Sequence, residues 1–315
     1  MNSILNRQIV SALGRSCWFS FLLVCCGCVP ESESTTSAKL HVVATVSMVA
    51  DLVTEVAGDR AEVTSLMGPG VDPHLYKATT ADLNALRRAE VVFYCGLMLE
   101  GKLQSVLSEM GRSKRVYAVA ESIPPARLLK PTEFEGHPDP HVWFDVELWI
   151  LCVNAVVKGL SEARPADAAY FATQGESYKI RLKALHEWAI QKSAELPPEK
   201  RILATSHDAF NYFGRAYGFK VVALQGISTV TEASLADVVK MVEYIKANKI
   251  NAVFVESSVS PKTIERVSQD AGVTIGGELF SDALGQAGKM ENGYDVGTYE
   301  GMIRHNLETI VNALR

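Results

Sequence analysis

The sequence of 315 residues predicts an α/β fold in which two lobes, each built on a parallel β-sheet, are joined by one long rigid helix. Three observations predict this fold class. Short apolar runs alternate with amphipathic helical runs in two separate stretches, as expected for parallel strands with crossover helices. An unusually long helical pattern lies between these stretches. The chain is also too long for one ordinary core but suits two domains of about 100 to 200 residues.

The first 28 residues have the order of an export signal. Arg7 and Arg15 precede the apolar run CWFSFLLVCCGC, which is too short to cross a bilayer as a mature helix. This order resembles a bacterial lipoprotein signal with Cys28 as the lipidated residue, followed by a polar tether over residues 29–38. Cys25 stands where such signals usually have leucine, so cleavage without lipidation stays open. We expect an exported protein, periplasmic or at the cell surface, held peripherally at the membrane by a lipid anchor.

Residues 39–163 are predicted to form the first lobe. Its expected strands are LHVVATV, AEVTSLM, VVFYCG and RVYAVA, and its expected helices are MVADLVTEVAG, TADLNALRRA and LEGKLQSVLSEMG. The long helix is placed in residues 164–197. Apolar side chains recur at helical spacing in its stretch DAAYFATQGESYKIRLKALHEWAIQKSAEL, where Gly175 is the one helix breaker. About thirty residues at 1.5 Å each would span roughly 45 Å, so we expect a strut rather than a flexible hinge.

Residues 198–315 are predicted to form the second lobe, with the same alternation as the first. Its expected strands are RILATSH, KVVAL, AVFVESS and TIGGELF, and its expected helices are FNYFGRAYG, ASLADVVKMVEYIKANK, PKTIERVSQDAG and YEGMIRHNLETIVNAL. Each strand is followed by a helix, so this lobe is also expected to contain parallel strands.

The composition narrows the class of protein. With 48% hydrophobic and 21% charged residues the chain is typical of a globular protein, and its net charge of -5 disfavours a nucleic-acid partner. Of six cysteines, only Cys95 and Cys152 lie beyond the predicted signal, which is not a disulfide framework. We expect both to be small buried side chains rather than a bridge or a reactive thiol.

The tripeptide Asp-Pro-His occurs twice, in VDPHLYKATT and in HPDPHVWFDVELW, and places His74 and His141 in two loops of the first lobe. Pro73 and Pro140 fix their own φ and keep the preceding aspartate extended. Such loops are stiff, and a stiff loop can hold a histidine ring in a fixed direction.

Two further candidates lie near strand ends in the second lobe. His207 follows the strand in ATSHDAF, and Asp282 follows the strand in GGELFSDALG. Ligands bind at the carboxyl ends of strands in open α/β sheets. Three imidazoles and one carboxylate together suit a divalent transition metal. The candidates lie far apart in the sequence, so spacing alone leaves open whether His74, His141, His207 and Asp282 share an ion.

The other histidines are expected to be structural or solvated. His41 lies at a strand start, His186 in the long helix and His305 in the last helix. His137 precedes His141 by four residues and is interpreted as a loop residue, with an accessory ligand as the alternative.

An ordered set of motifs resembles the metal-binding receptors of bacterial ABC importers, the TroA, ZnuA and PsaA family of cluster A-I solute-binding proteins, and most of all its TroA branch. The motifs run from about Val42 to the end of the chain: LMGPGVDPHLYKATTADL, DPHVWFDVELW, TSHDAFNYFGRAYGF, LQGISTVTEAS, VFVESSVSPKTIE and GGELFSDALG. The resemblance implies two α/β lobes joined by one long helix, with a metal site in the cleft between them. It also implies that His74, His141 and His207 are nitrogen ligands and that Asp282 is the oxygen ligand.

The resemblance implies a receptor without enzyme activity that delivers a divalent metal to a permease with an attached ATPase, and we expect it to be a monomer. Manganese members usually carry Glu in the position of His207, and many zinc members carry a long His-rich acidic loop. This chain has neither feature. The ligand position holds His207 rather than Glu, and the segment KPTEFEGHPDP before His141 contains one histidine. Three imidazoles favour Zn²⁺, whereas a bidentate Asp282 would raise the coordination number enough for Mn²⁺. We expect zinc, with manganese as the alternative, and release by movement of the loops that carry His207 and Asp282.

Two other functions remain as alternatives. A metallohydrolase would need an open coordination position and a general base, for which Glu256 or Glu278 could be nominated. A surface adhesin is compatible with lipidation, but no motif argues for it. The run GLMLEGKL resembles a phosphate-binding loop, but Leu103 stands where a hydroxyl is required, so we interpret it as an ordinary strand-to-helix turn.

Overall fold

The computed structural model describes residues 38–134 and 136–315 of the chain. The predicted export signal with Cys28, and nearly all of the predicted tether, lie outside the described residues. No helix in the described part is both long enough and apolar enough to cross a membrane.

A parallel four-stranded sheet organises the first half of the described chain. Its strands are β1 (Leu40–Ala44), β2 (Ala61–Ser65), β3 (Val91–Tyr94) and β4 (Arg115–Ala118), in the order β2-β1-β3-β4. The helices α1 (Ser47–Ala57), α2 (Thr80–Arg88) and α3 (Leu103–Met110) connect them. The central strand β3 has the sequence VVFY and is buried along its whole length, as expected for a parallel strand covered on both faces.

Two long helices follow, α4 (Val146–Ala163) and α5 (Ala168–Ser193). Asp145 caps α4, because its side chain accepts hydrogen bonds from the backbone N–H groups of Glu147 and Leu148. The predicted strut is α5, whose 26 residues span about 39 Å. Gly175 does not break this helix: a Cβ there would lie 2.5 Å from Val157 Cγ2, so glycine allows α5 to pack closely against α4.

The second half contains two pairs of parallel strands. β5 (Ile202–His207) pairs with β6 (Lys220–Gln225), and β7 (Ala252–Glu256) pairs with β8 (Thr274–Leu279). The helices are α6 (Asn211–Tyr217), α7 (Leu235–Ala247), α8 (Lys262–Ala271) and α9 (Tyr299–Leu314). A short antiparallel hairpin of β9 (Met290–Glu291) and β10 (Tyr294–Asp295) precedes α9.

One hydrophobic core extends from the first sheet through α4 and α5 to α9, and includes the buried side chains of Phe93, Trp149, Leu182 and Ile303. A smaller core lies between β5, β7, α7 and α8 and includes Val253. Residues 39–315 form one compact unit, so the division into lobes at 39–163, 164–197 and 198–315 stays a prediction.

The predicted α/β class with parallel strands is confirmed, and each predicted strand and helix is present. Cys95 and Cys152 are buried free thiols, as expected. Two large apolar residues of α5 are exposed rather than buried, Ile180 at 66% and Ile190 at 47%.

Candidate metal centre

The structure brings the four candidate ligands together. His74, His141, His207 and Asp282 each offer a nitrogen or oxygen atom, and these atoms all lie within 4.8 Å of one another. All four residues are buried. His207 is the last residue of β5, and Asp282 comes three residues after the end of β8. The carboxyl ends of parallel strands therefore supply two of the four groups.

The distances between these atoms match those of ligands around one ion. His74 Nε2 lies 3.4 Å from His141 Nε2. Asp282 Oδ1 lies 3.4 Å from His141 Nε2, and Asp282 Oδ2 lies 3.2 Å from His207 Nε2 and 4.0 Å from His74 Nε2. Tetrahedral ligands at about 2.1 Å from Zn²⁺ would lie about 3.4 Å apart. The spacing fits a transition-metal ion at the centre of the four groups.

Several of these atoms are buried without a hydrogen bond. Within residues 38–134 and 136–315, neither carboxylate oxygen of Asp282 nor Nε2 of His207 has a hydrogen-bond partner. A buried polar atom without a partner costs about 1 to 3 kcal/mol, and more when it is charged. A cation bound between the four side chains would satisfy all three atoms.

The two Asp-Pro-His copies fold into the same local turn. Asp72 Oδ1 accepts a hydrogen bond of 2.8 Å from the backbone N–H of His74. Asp139 Oδ1 accepts one of 3.0 Å from the backbone N–H of His141. Each aspartate thus fixes the backbone of the histidine two residues later, as in an Asx turn. The repeated tripeptide therefore points two imidazoles at one place from two different loops.

The second carboxylate oxygen of each aspartate binds a side chain from the second half of the chain. Asp72 Oδ2 accepts a 2.5 Å hydrogen bond from Thr229 Oγ1, in the loop after β6. Asp139 Oδ2 accepts a 3.2 Å hydrogen bond from Asn211 Nδ2 at the start of α6. Both copies are therefore tied to loops or helices of the second half of the chain.

Buried carboxylates orient two of the imidazoles. Asp139 Oδ1 lies 2.8 Å from His141 Nδ1, and Glu256 Oε2 lies 2.5 Å from His207 Nδ1. Glu256 Oε1 also accepts a hydrogen bond of 2.8 Å from the backbone N–H of His207. A carboxylate on Nδ1 leaves Nε2 as the coordinating atom, which is the usual arrangement behind metal-binding histidines.

Sequence reasoning missed these orienting roles. For Asp139 a signal existed, because both copies of the tripeptide place an aspartate two residues before the histidine. Glu256 was considered only as a catalytic base. Its contact with His207 depends on β7 lying beside β5, which no local pattern in the sequence shows.

The protonation of the cluster follows from burial and from its charges. Burial lowers the pKa of His74 to about 3, so this imidazole is neutral at pH 7. Burial also opposes the charged form of His141, but Asp139 and Asp282 outweigh it and raise its pKa to about 9. Burial would raise the pKa of Asp282, yet His207 and His141 hold it well below its ordinary value. A bound cation would replace the imidazole protons, so metal binding releases protons.

The remaining histidines lie outside this group. His137 is exposed, with its ring centroid 5.9 Å from that of Phe134. The side chain of His41 is 66% exposed at the start of β1. His186 Nδ1 lies 3.5 Å from the hydroxyl of Tyr217. His305 is buried, with Nε2 3.0 Å from the carbonyl oxygen of Glu278. These positions agree with loop, solvated and structural roles.

The loop that resembles a phosphate-binding loop is filled by its own side chain. The buried Glu100 carboxylate accepts hydrogen bonds from the backbone N–H groups of Cys95 and Gly96, at 2.6 and 3.1 Å. Thr45 Oγ1 donates a third, at 2.8 Å. The amide donors that a phosphate would require are already in use, which supports the interpretation as a strand-to-helix turn.

Comparisons with known proteins agree with this geometry. The family model described as "ZnuA: Zinc-uptake complex component A periplasmic" matches residues 42–313. The chain is 46% identical over 301 residues to the manganese-binding lipoprotein MntA of Bacillus subtilis, covering 94% of this chain and 96% of that protein. It is 44% identical over 289 residues to the zinc-binding protein TroA of Treponema pallidum, covering 90% of this chain and 92% of that protein.

The solved structure of the periplasmic zinc binding protein TroA from Treponema pallidum superimposes with a TM-score of 0.83 at 44% identity. The superposition covers 88% of this chain and 99% of the TroA chain. The residues matched by the family model, 42–313, include every candidate ligand. The chain therefore belongs to the ZnuA, TroA and PsaA family of metal-binding substrate-binding proteins of ABC importers.

Proposed function

We propose that this protein is the extracytoplasmic receptor of an ABC importer, that it captures a divalent transition metal with His74, His141, His207 and Asp282, and that it delivers the ion to a membrane permease. The observation that carries the proposal is the set of four buried ligand atoms within 4.8 Å of one another. Membership of the family supports the receptor function and the permease and ATPase partners. The receptor acts as a monomer with residues 39–163 and 198–315 as the lobes around the ion.

The bound ion is zinc in this proposal, with manganese as the alternative. Three neutral imidazoles bind Zn²⁺ more tightly than Mn²⁺ in the general order of metal affinities. Both oxygens of Asp282 face imidazole nitrogens, at 3.4 and 3.2 Å, so a bidentate carboxylate and a five-coordinate ion are also accommodated. The names of the relatives divide in the same way, since TroA is called zinc-binding and MntA manganese-binding.

A lipid on Cys28 is proposed to hold the receptor at the outer face of the membrane. Support comes from the sequence pattern and from relatives named as lipoproteins. Mass spectrometry of the mature protein tests it, because a lipidated N-terminal cysteine adds the mass of its acyl chains and simple cleavage adds none.

The geometry argues against the metallohydrolase alternative. Glu256 uses both oxygens on the backbone and ring of His207, so it is not free to activate a water. Glu278 is an exposed residue of β8. Four protein ligands also leave little room for a water on the ion. Members of this family are binding proteins rather than enzymes, and nothing in the site favours the adhesin alternative.

The test of the receptor function is elemental analysis of the mature protein purified without added metal, together with competition titration of Zn²⁺ and Mn²⁺. We expect one equivalent of metal, which is lost or much reduced in His141→Ala while circular dichroism is unchanged. His137→Ala is the matched control, since its side chain is exposed, and it should retain the metal. A wild-type protein that binds neither ion would contradict the proposal.

Release of the ion is proposed to involve movement of the segments that carry His207 and Asp282. Hydrogen exchange compared between metal-bound and metal-free protein tests this. We expect protection to fall on metal removal in the residues after β5 and after β8. A change confined to the loops of His74 and His141 would contradict it.

A further inference from the structure

Asp282 differs from the histidine ligands in the way that it is held. Carboxylates orient His141 and His207 through Nδ1. Among the described residues, by contrast, neither Asp282 oxygen has a hydrogen-bond partner. Its oxygens face the imidazoles of His141 and His207, at 3.4 and 3.2 Å, which are themselves ligand groups. The direction in which this carboxylate meets an ion therefore depends on the position of its own backbone.

Helix α9 holds the backbone that leads to Asp282. The backbone N–H of Phe280 donates a hydrogen bond of 2.9 Å to Asn306 Oδ1. Asn306 Nδ2 in turn donates one of 2.8 Å to the carbonyl oxygen of Phe280. One side-chain amide thus binds both backbone groups of the residue that follows β8, two residues before Asp282.

The amide is well placed to act as a fixed support. Asn306 is 1% exposed, so water does not compete for its hydrogen bonds. The neighbouring His305 Nε2 lies 3.0 Å from the carbonyl oxygen of Glu278, so α9 holds the segment at two alternate residues. Between Phe280 and Asp282, the carbonyl oxygen of Ser281 accepts a 3.0 Å hydrogen bond from Trp143 Nε1.

We propose that Asn306 is a positioning residue that sets how the Asp282 carboxylate meets the bound ion and thereby the preference between manganese and zinc. This inference rests on the proposed metal-receptor function. Without the amide, Phe280 loses a donor and an acceptor, and the segment to Asp282 shifts. Mn²⁺ depends more on oxygen ligands, whereas Zn²⁺ keeps its three imidazoles, so the shift affects the manganese site more.

The experiment compares wild type, Asn306→Leu and Asn306→Asp, with Asn312→Asp as a control on the exposed face of the same helix. Dissociation constants for Mn²⁺ and Zn²⁺ are measured for each, and the visible spectrum of the Co²⁺-loaded protein reports the coordination geometry. Asn306→Asp conserves the volume and the acceptor but removes the donor to Phe280. It serves as the second variant where Asn306→Leu does not fold.

We expect Asn306→Leu to weaken Mn²⁺ binding by about 10- to 100-fold, as for other residues that position metal ligands. Zn²⁺ binding should weaken by a smaller factor, and the Co²⁺ spectrum should change. Asn306→Asp should show the same direction, and Asn312→Asp should behave as wild type. Equal losses for both metals with an unchanged Co²⁺ spectrum would overturn the inference and leave Asn306 a structural residue. A wild-type protein that binds no metal would instead overturn the proposed function itself.

Discussion

At the scale of single residues, the site is defined by the carboxylates behind the imidazoles as much as by the four candidate ligands. Glu256 is 2% exposed and Asp139 is fully buried, and both lie against the nitrogen of an imidazole that faces away from the cluster. Each carboxylate selects the tautomer that leaves Nε2 free, and it also makes the imidazole a stronger base. The affinity of the site should therefore depend on residues that do not touch the ion.

Glu256→Gln tests this dependence. We expect metal affinity to fall by about 10- to 100-fold, because a neutral amide orients His207 less firmly and no longer raises its basicity. Isothermal titration with Zn²⁺ measures the change. Glu278→Gln is the matched control, because this exposed glutamate lies on the neighbouring strand β8, and its affinity should equal that of the wild type. Unchanged affinity in Glu256→Gln would show that the carboxylate serves folding alone.

The sequence allowed the four candidate ligands to be chosen but not their supports. His74 and His141 stand out because the tripeptide around them is repeated, and His207 and Asp282 because they come at strand ends. The hydrogen bond between Asp72 and Thr229 joins residues 157 positions apart. The support of Asp282 through Phe280 and Asn306 depends on which helix packs beside β8. Tertiary packing decides such contacts, and local periodicity carries no information about them.

At the scale of helices and strands, the strut α5 packs closely against α4. Gly175 lies in the buried face of α5, where a Cβ would approach Val157 Cγ2 to 2.5 Å and Val153 Cγ1 to 3.4 Å. The sequence pattern identified Gly175 only as a helix breaker. Its role in packing appears only when the neighbouring helix is known, because the contact lies between two elements.

Gly175→Val should destabilise the protein by about 1 to 3 kcal/mol, the usual cost of overpacking a buried contact. Urea unfolding of the metal-free protein measures this. Ala172→Val, at an exposed position of the same helix, shows the effect of a valine without the α4 contact and should cost only a few tenths of a kcal/mol. Valine has a higher helix propensity than glycine, so propensity alone would make Gly175→Val slightly stabilising. Equal effects of the two variants would show that the α4–α5 contact is not closely packed.

At the scale of the whole molecule, three helices that are far apart in the sequence, α1, α5 and α9, meet around a group of acidic side chains. Asp51 Oδ2 accepts hydrogen bonds from the backbone N–H of Tyr299, at 3.2 Å, and from the hydroxyl of Tyr178, at 3.4 Å. Arg181 pairs with both Glu55 and Glu300. The first half of the chain, the strut and the last helix are thus joined by one charged cluster.

Burial is the main cause that raises the pKa of Asp51 from 3.8 to about 7, and the neighbouring Glu55 adds to it. Because the folded pKa is above the unfolded value, the folded protein binds more protons than the unfolded chain between about pH 4 and pH 7. The contribution of Asp51 to the free energy of unfolding therefore falls as the pH rises through this window. Above pH 7 the folded protein carries a buried charge that the hydrogen bonds of Tyr299 and Tyr178 only partly stabilise.

Asp51→Asn removes this charge and keeps an oxygen that accepts both hydrogen bonds. We expect the variant to be more stable than wild type at pH 8, by an amount on the order of 1 kcal/mol or more, and to show little gain at pH 4. Urea unfolding of the metal-free protein at both pH values measures the difference, and subtraction of the two proteins cancels the titration of other carboxyl groups. Asp59→Asn, an exposed aspartate whose side chain is 78% accessible, is the control and should show no such pH dependence. A gain of equal size at pH 4 and pH 8 would mean that the pKa of Asp51 is not raised in the folded protein.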